Sequence, residues 1–220
     1  MLTKFIIMLL PWKLKRFLLN KLFGFELNKD AHIGISWIYP SHLKMSAGSK
    51  IGHLNVAIHL DEMDMNEYAT ISKQNWITGF TTKVNSVHFN HQKGRHSKLT
   101  MRASSAITAK HHIDCTSEIV IGEYSTVAGY QSQLLTHSIN ILDNIQDSAP
   151  IYIGDYCFIG TNVTILGGTR LPSKSVLGAK SLLNKSFVEE WSLYAGVPAR
   201  YVKPLDKQAK YFSRSVGFVN

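Results

Sequence analysis

IGDYCFIGTNVTILGGTRLPSKSVLGAKSLLNKSF, residues 153–187, keeps a six-residue beat. Ile153, Ile159, Ile165, Leu171, Leu177 and Leu183 mark it, and all are branched aliphatics. Two places before each of the later ones stand Cys157, Val163, Thr169, Ser175 and Ser181, all small or β-branched. Glycine follows the aliphatic at Gly154, Gly160 and Gly178. A helix repeats near 3.6 residues and a half-buried strand at 2, so neither produces this period. A chain wound round a triangular prism does, with one short strand and one inward aliphatic per face. Small side chains then fill the corners, and glycine is expected to supply their unusual backbone angles.

The same beat runs through earlier segments. Met45 and Ile51 carry it with Ser49 and Asn55; Met65, Ile71 and Ile77 carry it with Ala69 and Asn75. Met101, Ile107, Ile113 and Ile119 follow with Ser105, His111 and Ser117, then Ile121 and Val127 with Ser125. Apolar pairs spaced by one residue mark the joins at Leu43/Met45, Met63/Met65, Leu99/Met101, Ile119/Ile121 and Ile151/Ile153. A coil is therefore three hexads, with two extra residues where successive joins lie twenty apart. The chain holds roughly six or seven such coils, enough to bury one continuous core.

Composition agrees with a single domain. The chain has 220 residues, 45% of them hydrophobic, and its six prolines mark no linker. Cys115 and Cys157 occupy inward hexad positions, which argues for packed thiols in a reducing compartment and against a disulfide or a metal site. The net charge of +9 suits an anionic membrane surface or an anionic small molecule. Nucleic acid is disfavoured, because no recognition helix, zinc-finger spacing or basic-aromatic motif accompanies the charge.

Residues 1–24 form a segment of their own, with Lys4, Lys13, Lys15, Arg16 and Lys21 and no acid among aliphatics, Phe5, Trp12, Phe17 and Phe23. The apolar run before Pro11 is too short to span a bilayer, which takes about 20 residues. Two compatible expectations follow: an amphipathic segment lying on an anionic membrane, and a cap over the open end of the coil stack. Residues 25–203 are the coil domain, and 204–220 are a basic tail read as solvated surface or a short helix. Two stretches interrupt the beat, at about 80–98 and 129–150. The first carries His88, His91 and His96; the second carries Thr136-His137 and then Asp143, Asn144, Gln146 and Asp147. Side chains that do chemistry are usually carried on loops set by a rigid scaffold, which singles out both stretches.

With these residues in view, the chain resembles the hexapeptide-repeat acetyltransferases, the family of maltose, galactoside and serine acetyltransferases. The marks are Thr136-His137, the hexads from Ile153 to Gly160, Val163 to Gly168, and Ala195-Gly196-Val197-Pro198-Ala199-Arg200. The N-terminal half, with Gly52-His53-Leu54-Asn55 and Asn75-Trp76-Ile77-Thr78-Gly79, is similar to acetyltransferases of polysaccharide biosynthesis. The resemblance implies an all-β, left-handed parallel β-helix with an N-terminal amphipathic helix and a short C-terminal helix. It implies a homotrimer with sites between subunits, and acetyl transfer from acetyl-CoA to a carbohydrate in a direct ternary complex. His137 would then be the general base, with Asp114 or Asp143 orienting it. Phe158, Thr161, Ala179, Asn184, Lys185, Arg200 and Lys203 match coenzyme A contacts, the cations suited to its phosphates. Phe158 stands where relatives often carry tryptophan. The expected location is the cytoplasm, peripheral on the inner membrane face.

Two rivals frame this expectation. One is a zinc enzyme of the γ-type carbonic anhydrase kind, suggested by His91 and His96, although no third ligand stands at a clear hexad spacing and no metal is expected. The other is a β-helix scaffold without catalysis. His111 sits at a repeat position and His112 just outside it, open to packing or acceptor contact. Asn55 and Asn75, twenty apart at inward corners, predict an asparagine ladder.

Overall fold

The computed structural model describes residues 1–219. Three parallel sheets wind round one core as a left-handed β-helix of seven coils. The first face begins at Glu26–Leu27, the second at His32–Ile33 and the third at Trp37–Tyr39, and each coil adds one strand to each. The apolar pairs set the register: Leu43 lies beside Met63, Leu99 beside Ile119, and Ile119 beside Ile151. Ile153, Ile159, Ile165, Leu171, Leu177 and Leu183 are all buried, as are their small partners from Cys157 to Ser181. The period of six is thus the geometry of the prism.

Glycine plays a different part from the one its position suggested. Gly154, Gly160 and Gly178 do not have left-handed backbone; what they lack is room. A Cβ on Gly160 would stand 2.6 Å from Ala179 N in the next coil, and one on Gly154 would stand 2.5 Å from Ser173 N. Between the second and third faces the left-handed corners belong to Leu54, Gln74, Lys110, Gln131, Asn162 and Lys180, each just before an inward residue, while glycine takes the equivalent place at Gly48 and Gly168, before Ser49 and Thr169. Close approach of coils, not backbone freedom, selects Gly154, Gly160 and Gly178.

The edge between the second and third faces is filled by a polar ladder. Asn55 N–H donates to Ser36 Oγ (2.9 Å), Asn75 N–H to Asn55 Oδ1 (2.9 Å), and His111 N–H to Asn75 Oδ1 (2.9 Å). Ser132 N–H then donates to His111 Nδ1 (3.1 Å). Because Nδ1 accepts, Nε2 carries the proton and faces Thr108 Oγ1 at 3.0 Å. Burial lowers the His111 pKa to about 4, which keeps the ring neutral. The expected asparagine ladder therefore extends through a histidine. Both thiols are buried and free, and burial pushes Cys157 up to about 12.

Both ends of the stack are covered. Helices α1 (Leu2–Leu9) and α2 (Trp12–Phe23) lie across the first coil and place Ile7 and Leu19 in the core. Lys15 is buried, and its Nζ donates to Gly34 O (3.0 Å), one of the carbonyls around the open first coil. Gly24 ends α2 at φ 66°, where a side chain would be strained. No described helix is long and apolar enough to cross a membrane. At the other end, Arg200–Pro204 pairs antiparallel with Ser192–Ala195.

The tail forms the expected short helical turn and leaves Lys207 and Lys210 exposed, but it also docks and buries one side chain. Lys210–Ser213 forms a 3₁₀ turn folded back on the second face, with Phe212 buried. Tyr211 Oη donates to Cys157 O (3.1 Å), and the Arg214 guanidinium lies 3.9 Å from the Tyr211 ring centre. The second interruption is also shorter than its sequence suggested. Thr126–Tyr130 and Gln133–Leu135 are coil strands, with Leu134 buried between Ile113 and Ile165. A polar Gln131-Ser132-Gln133 run conceals that hexad.

Candidate active site

Both interruptions leave the prism at one edge, between the third and first faces. The first joins Trp76–Thr78 to Lys98–Met101, and the second joins Gln133–Leu135 to Ile151–Ile153. One uninterrupted coil separates them, so they meet outside it. Gln92 Nε2 donates to Asp147 Oδ1 (2.6 Å) and Ser148 O (2.8 Å), and Ser148 Oγ donates to Gln92 Oε1 (2.6 Å). Arg95 donates to Phe80 O and Thr116 O and lies 4.6 Å from the Phe89 ring centre. Asp61 holds the root of the first loop. Its burial would raise the pKa, but hydrogen bonds from Thr81 and Thr82 keep the carboxyl below its ordinary value.

His137 opens a β-hairpin, His137–Asn140 against Ile145–Ser148. Its side chain is exposed, its ring lies 5.5 Å from that of Phe89, and Nε2 is hydrogen-bonded to Gln146 Oε1. Neither expected carboxylate touches the imidazole. Asp114 Oδ2 accepts the backbone N–H of His137 (3.2 Å), while Oδ1 accepts from Thr116 N (2.9 Å) and Oγ1 (2.7 Å). Asp114 thus fixes the start of the hairpin rather than the ring. Asp143 sits at the far tip and accepts from Asn140 Nδ2 (2.8 Å). Beneath His137 lies a cavity of about 380 Å³ lined by Trp76, Phe80, His112, Asp114 and Leu135. With Gln146 Oε1 accepting from Nε2, the free imidazole lone pair is on Nδ1.

The residues matched to coenzyme A divide between two edges. Asn184 and Lys185 follow Leu182–Leu183 and turn onto the first face, where Phe187 N–H donates to Arg170 O (3.0 Å). They share the edge of His137, two coils further on, about 10 Å at the usual strand spacing. With Arg200, Pro198 and Tyr201 they line a groove of about 560 Å³. Lys203 lies on the same terminal strand as Arg200, beside Leu193. Thr161 and Ala179 stand on the other edge, between the second and third faces, with Thr161 Oγ1 donating to Tyr130 O (3.0 Å). Phe158 is on the second face, its ring 5.8 Å from Tyr211 under the folded tail.

His88 packs edge-on to Phe80 at 6.0 Å, and among the described residues no group of three or more His, Cys, Asp or Glu side chains is gathered to hold a metal. Phe89 and Gln92 escaped the sequence, and Gln146 was noted only as a polar residue of the second stretch, not as the partner of His137. The signal for them was the edge: both interruptions replace the same corner of the repeat.

Among solved structures, this architecture recurs in acyltransferases. The polysialic acid O-acetyltransferase OatWY aligns with a TM-score of 0.60 over 87% of this chain and 90% of its own, at 16% identity. A point mutant of AntD, an N-acyltransferase from Bacillus cereus in complex with dTDP-4-amino-4,6-dideoxyglucose and coenzyme A, aligns at 0.55 over 90% and 93%, also at 16% identity. The fold is that of these acyltransferases. Within the acyltransferase fold, one curated relative matches in sequence. It is the "Putative lipopolysaccharide biosynthesis O-acetyl transferase WbbJ" of Escherichia coli (strain K12), 33% identical over 69 residues. That match covers 31% of this chain and 35% of the relative. No family profile matches the chain.

Proposed function

We propose that the protein is an acetyl-CoA-dependent O-acetyltransferase acting on a carbohydrate of cell-surface polysaccharide synthesis. The observation that carries this reading is the shared edge: an exposed imidazole over a cavity, two coils from a groove lined by Lys185 and Arg200. A sugar hydroxyl is a weak nucleophile at neutral pH, and a histidine positioned as general base answers that need. His137 takes the hydroxyl proton as the oxygen bonds to the thioester carbonyl carbon. The oxyanion collapses, the C–S bond breaks, and the imidazolium returns the proton to the departing thiolate. The products are an acetyl ester and free coenzyme A, without an acyl-enzyme. Lys185, Arg200 and Lys203 would meet coenzyme A phosphates, and backbone amides would hold the oxyanion.

Two observations support a homotrimer with shared sites. Thr161 and Ala179 stand on a different edge from His137 and Lys185, so one coenzyme A touching all of them would lie between neighbouring prisms. The hairpin tip also presents Ile141 and Leu142 at 87% and 96% exposure, apolar side chains suited to a second copy. Buried free thiols fit a reducing compartment, and we place the protein in the cytoplasm, with residues 1–24 against the membrane.

Incubation with acetyl-CoA and a panel of saccharides and lipid-linked sugars, followed by thiol release and product mass, tests the reading. The wild type is expected to acetylate at least one acceptor, and His137→Ala to lose about 10²–10⁴ of that rate. Release of thiol without an acetylated product, or equal rates from both proteins, would overturn it.

A further inference from the structure

The cap at the first coil has a second side. Ile7, Leu19 and Lys15 face the prism, and Lys4 lies over the Tyr39 ring at 4.6 Å. Turned away are Leu2, Phe5, Ile6 and Leu9 on α1, at the spacing of one helical stripe, and Leu14, Phe17 and Leu22 on α2. These seven side chains are 48–75% exposed, far more than a finished cap would leave. Around them stand exposed Lys13 and Lys21 and half-buried Arg16, and the first acid in the sequence is Glu26.

Charge decides what covers this stripe. A second copy meeting it face to face would oppose Lys13, Arg16 and Lys21 with the same cations and offer no acid from this segment to pair them. An anionic bilayer supplies both missing halves: hydrocarbon for the apolar stripe and headgroup phosphates for the cations. We propose that α1 and α2 seat the prism end-on upon an anionic membrane, with its axis standing away from the surface. Along the third face, Gln133–Leu135 is four strands from Trp37–Tyr39, about 19 Å at the usual spacing. One helix diameter, about 10 Å, lies beneath. The His137 hairpin is thereby held roughly 20–30 Å above the headgroups. Resting on the acetyltransferase reading, this height selects the acceptor class. It is a membrane-anchored saccharide whose reacting sugar lies several units from its lipid.

Vesicle sedimentation without acetyl-CoA or acceptor tests the docking alone. The full chain is expected to sediment with vesicles of phosphatidylglycerol and phosphatidylcholine, and at least tenfold less with phosphatidylcholine alone. The triple variant F5S/I6S/L9S and the pair K13E/K21E are each expected to lose at least tenfold in partitioning with melting curves retained. Should the triple variant lose its fold, K13E/K21E carries the test by itself, since both lysines are exposed. An environment-sensitive fluorophore at Phe5→Cys is expected to shift to the blue on vesicles, and one at Ile141→Cys to stay unchanged; the native thiols are buried and unreactive. Absence of wild-type binding, full binding by K13E/K21E, lipid-free self-association abolished by F5S/I6S/L9S, or an equal shift at both label sites would overturn the proposal. Failure here leaves thiol release by the enzyme untouched. Loss of activity in His137→Ala, conversely, leaves vesicle binding intact.

Discussion

Two edges of the same prism are built from the same repeat and carry opposite histidines. Between the second and third faces, His111 is buried in a ladder running from Ser36 to Ser132, neutral, with its proton fixed on Nε2. Between the third and first faces, His137 stands outside the coils on a hairpin, over a cavity and against Gln146. The ladder satisfies backbone N–H groups from inside the corner, so a chain excursion there would cost several buried hydrogen bonds at once. The other edge accommodates two excursions, and the polar side chains collect there. The fold is held along one edge and the candidate chemistry is mounted on another.

The most severe perturbation of the second role is charge reversal in the groove. Lys185→Glu with Arg200→Glu is expected to raise the KM for acetyl-CoA about 100-fold, the loss of charge-assisted bonds to phosphate. An unchanged KM would detach this groove from the cofactor. On the ladder, pH gives the next effect. The unfolded His111 titrates near 6.5 and the folded one near 4, so the unfolded state binds the extra proton between those values. Its contribution is complete above about pH 6.5 and falls by about 3 kcal/mol as pH drops to about 4. Urea melts across this range should show that slope in the wild type and a flatter one in His111→Asn, because asparagine already fills the equivalent corners at Asn55 and Asn75. Equal slopes would remove His111 as the cause.

Coil contact comes third. Gly160→Ala forces a Cβ against Ala179 backbone and is expected to cost about 1–3 kcal/mol in denaturant midpoint. Ordinary stability in that variant would show that the coils can part. The smallest effect is at the tie between the two loops. Gln92→Ala removes three hydrogen bonds to the hairpin and should lower kcat roughly tenfold with the melting temperature nearly unchanged.

Much of this was legible in the residues, for a physical reason. Inward positions of a prism admit few side chains, so the beat from Ile153 to Leu183 is a direct image of packing, and Asn55 and Asn75 announce their own ladder. Where selection is on space between coils, the message is ambiguous: Gly154 and Gly160 look like turn formers and are clearance. Leu134 was hidden because it stands seven residues after Val127, one out of step with the beat, beside a second leucine. The meeting of the two loops depends on which corner each replaces, a quantity counted in coils and not in residues. The docked tail rests on Tyr211, Phe212 and Arg214 against a surface that only the folded chain creates. His137 is marked as a candidate by its Thr136-His137 motif; Gln146, nine residues on, stands in no motif.

The division between the edges is most directly tested by measuring thiol release and thermal melting side by side for His137→Ala and His111→Ala. The first is expected to lose about 10²–10⁴ in rate and keep its melting curve, while the second loses about 2–3 kcal/mol of stability and keeps its rate below the melting range. Activity surviving in the first, or collapse of the catalytic rate in a folded second, would contradict that division.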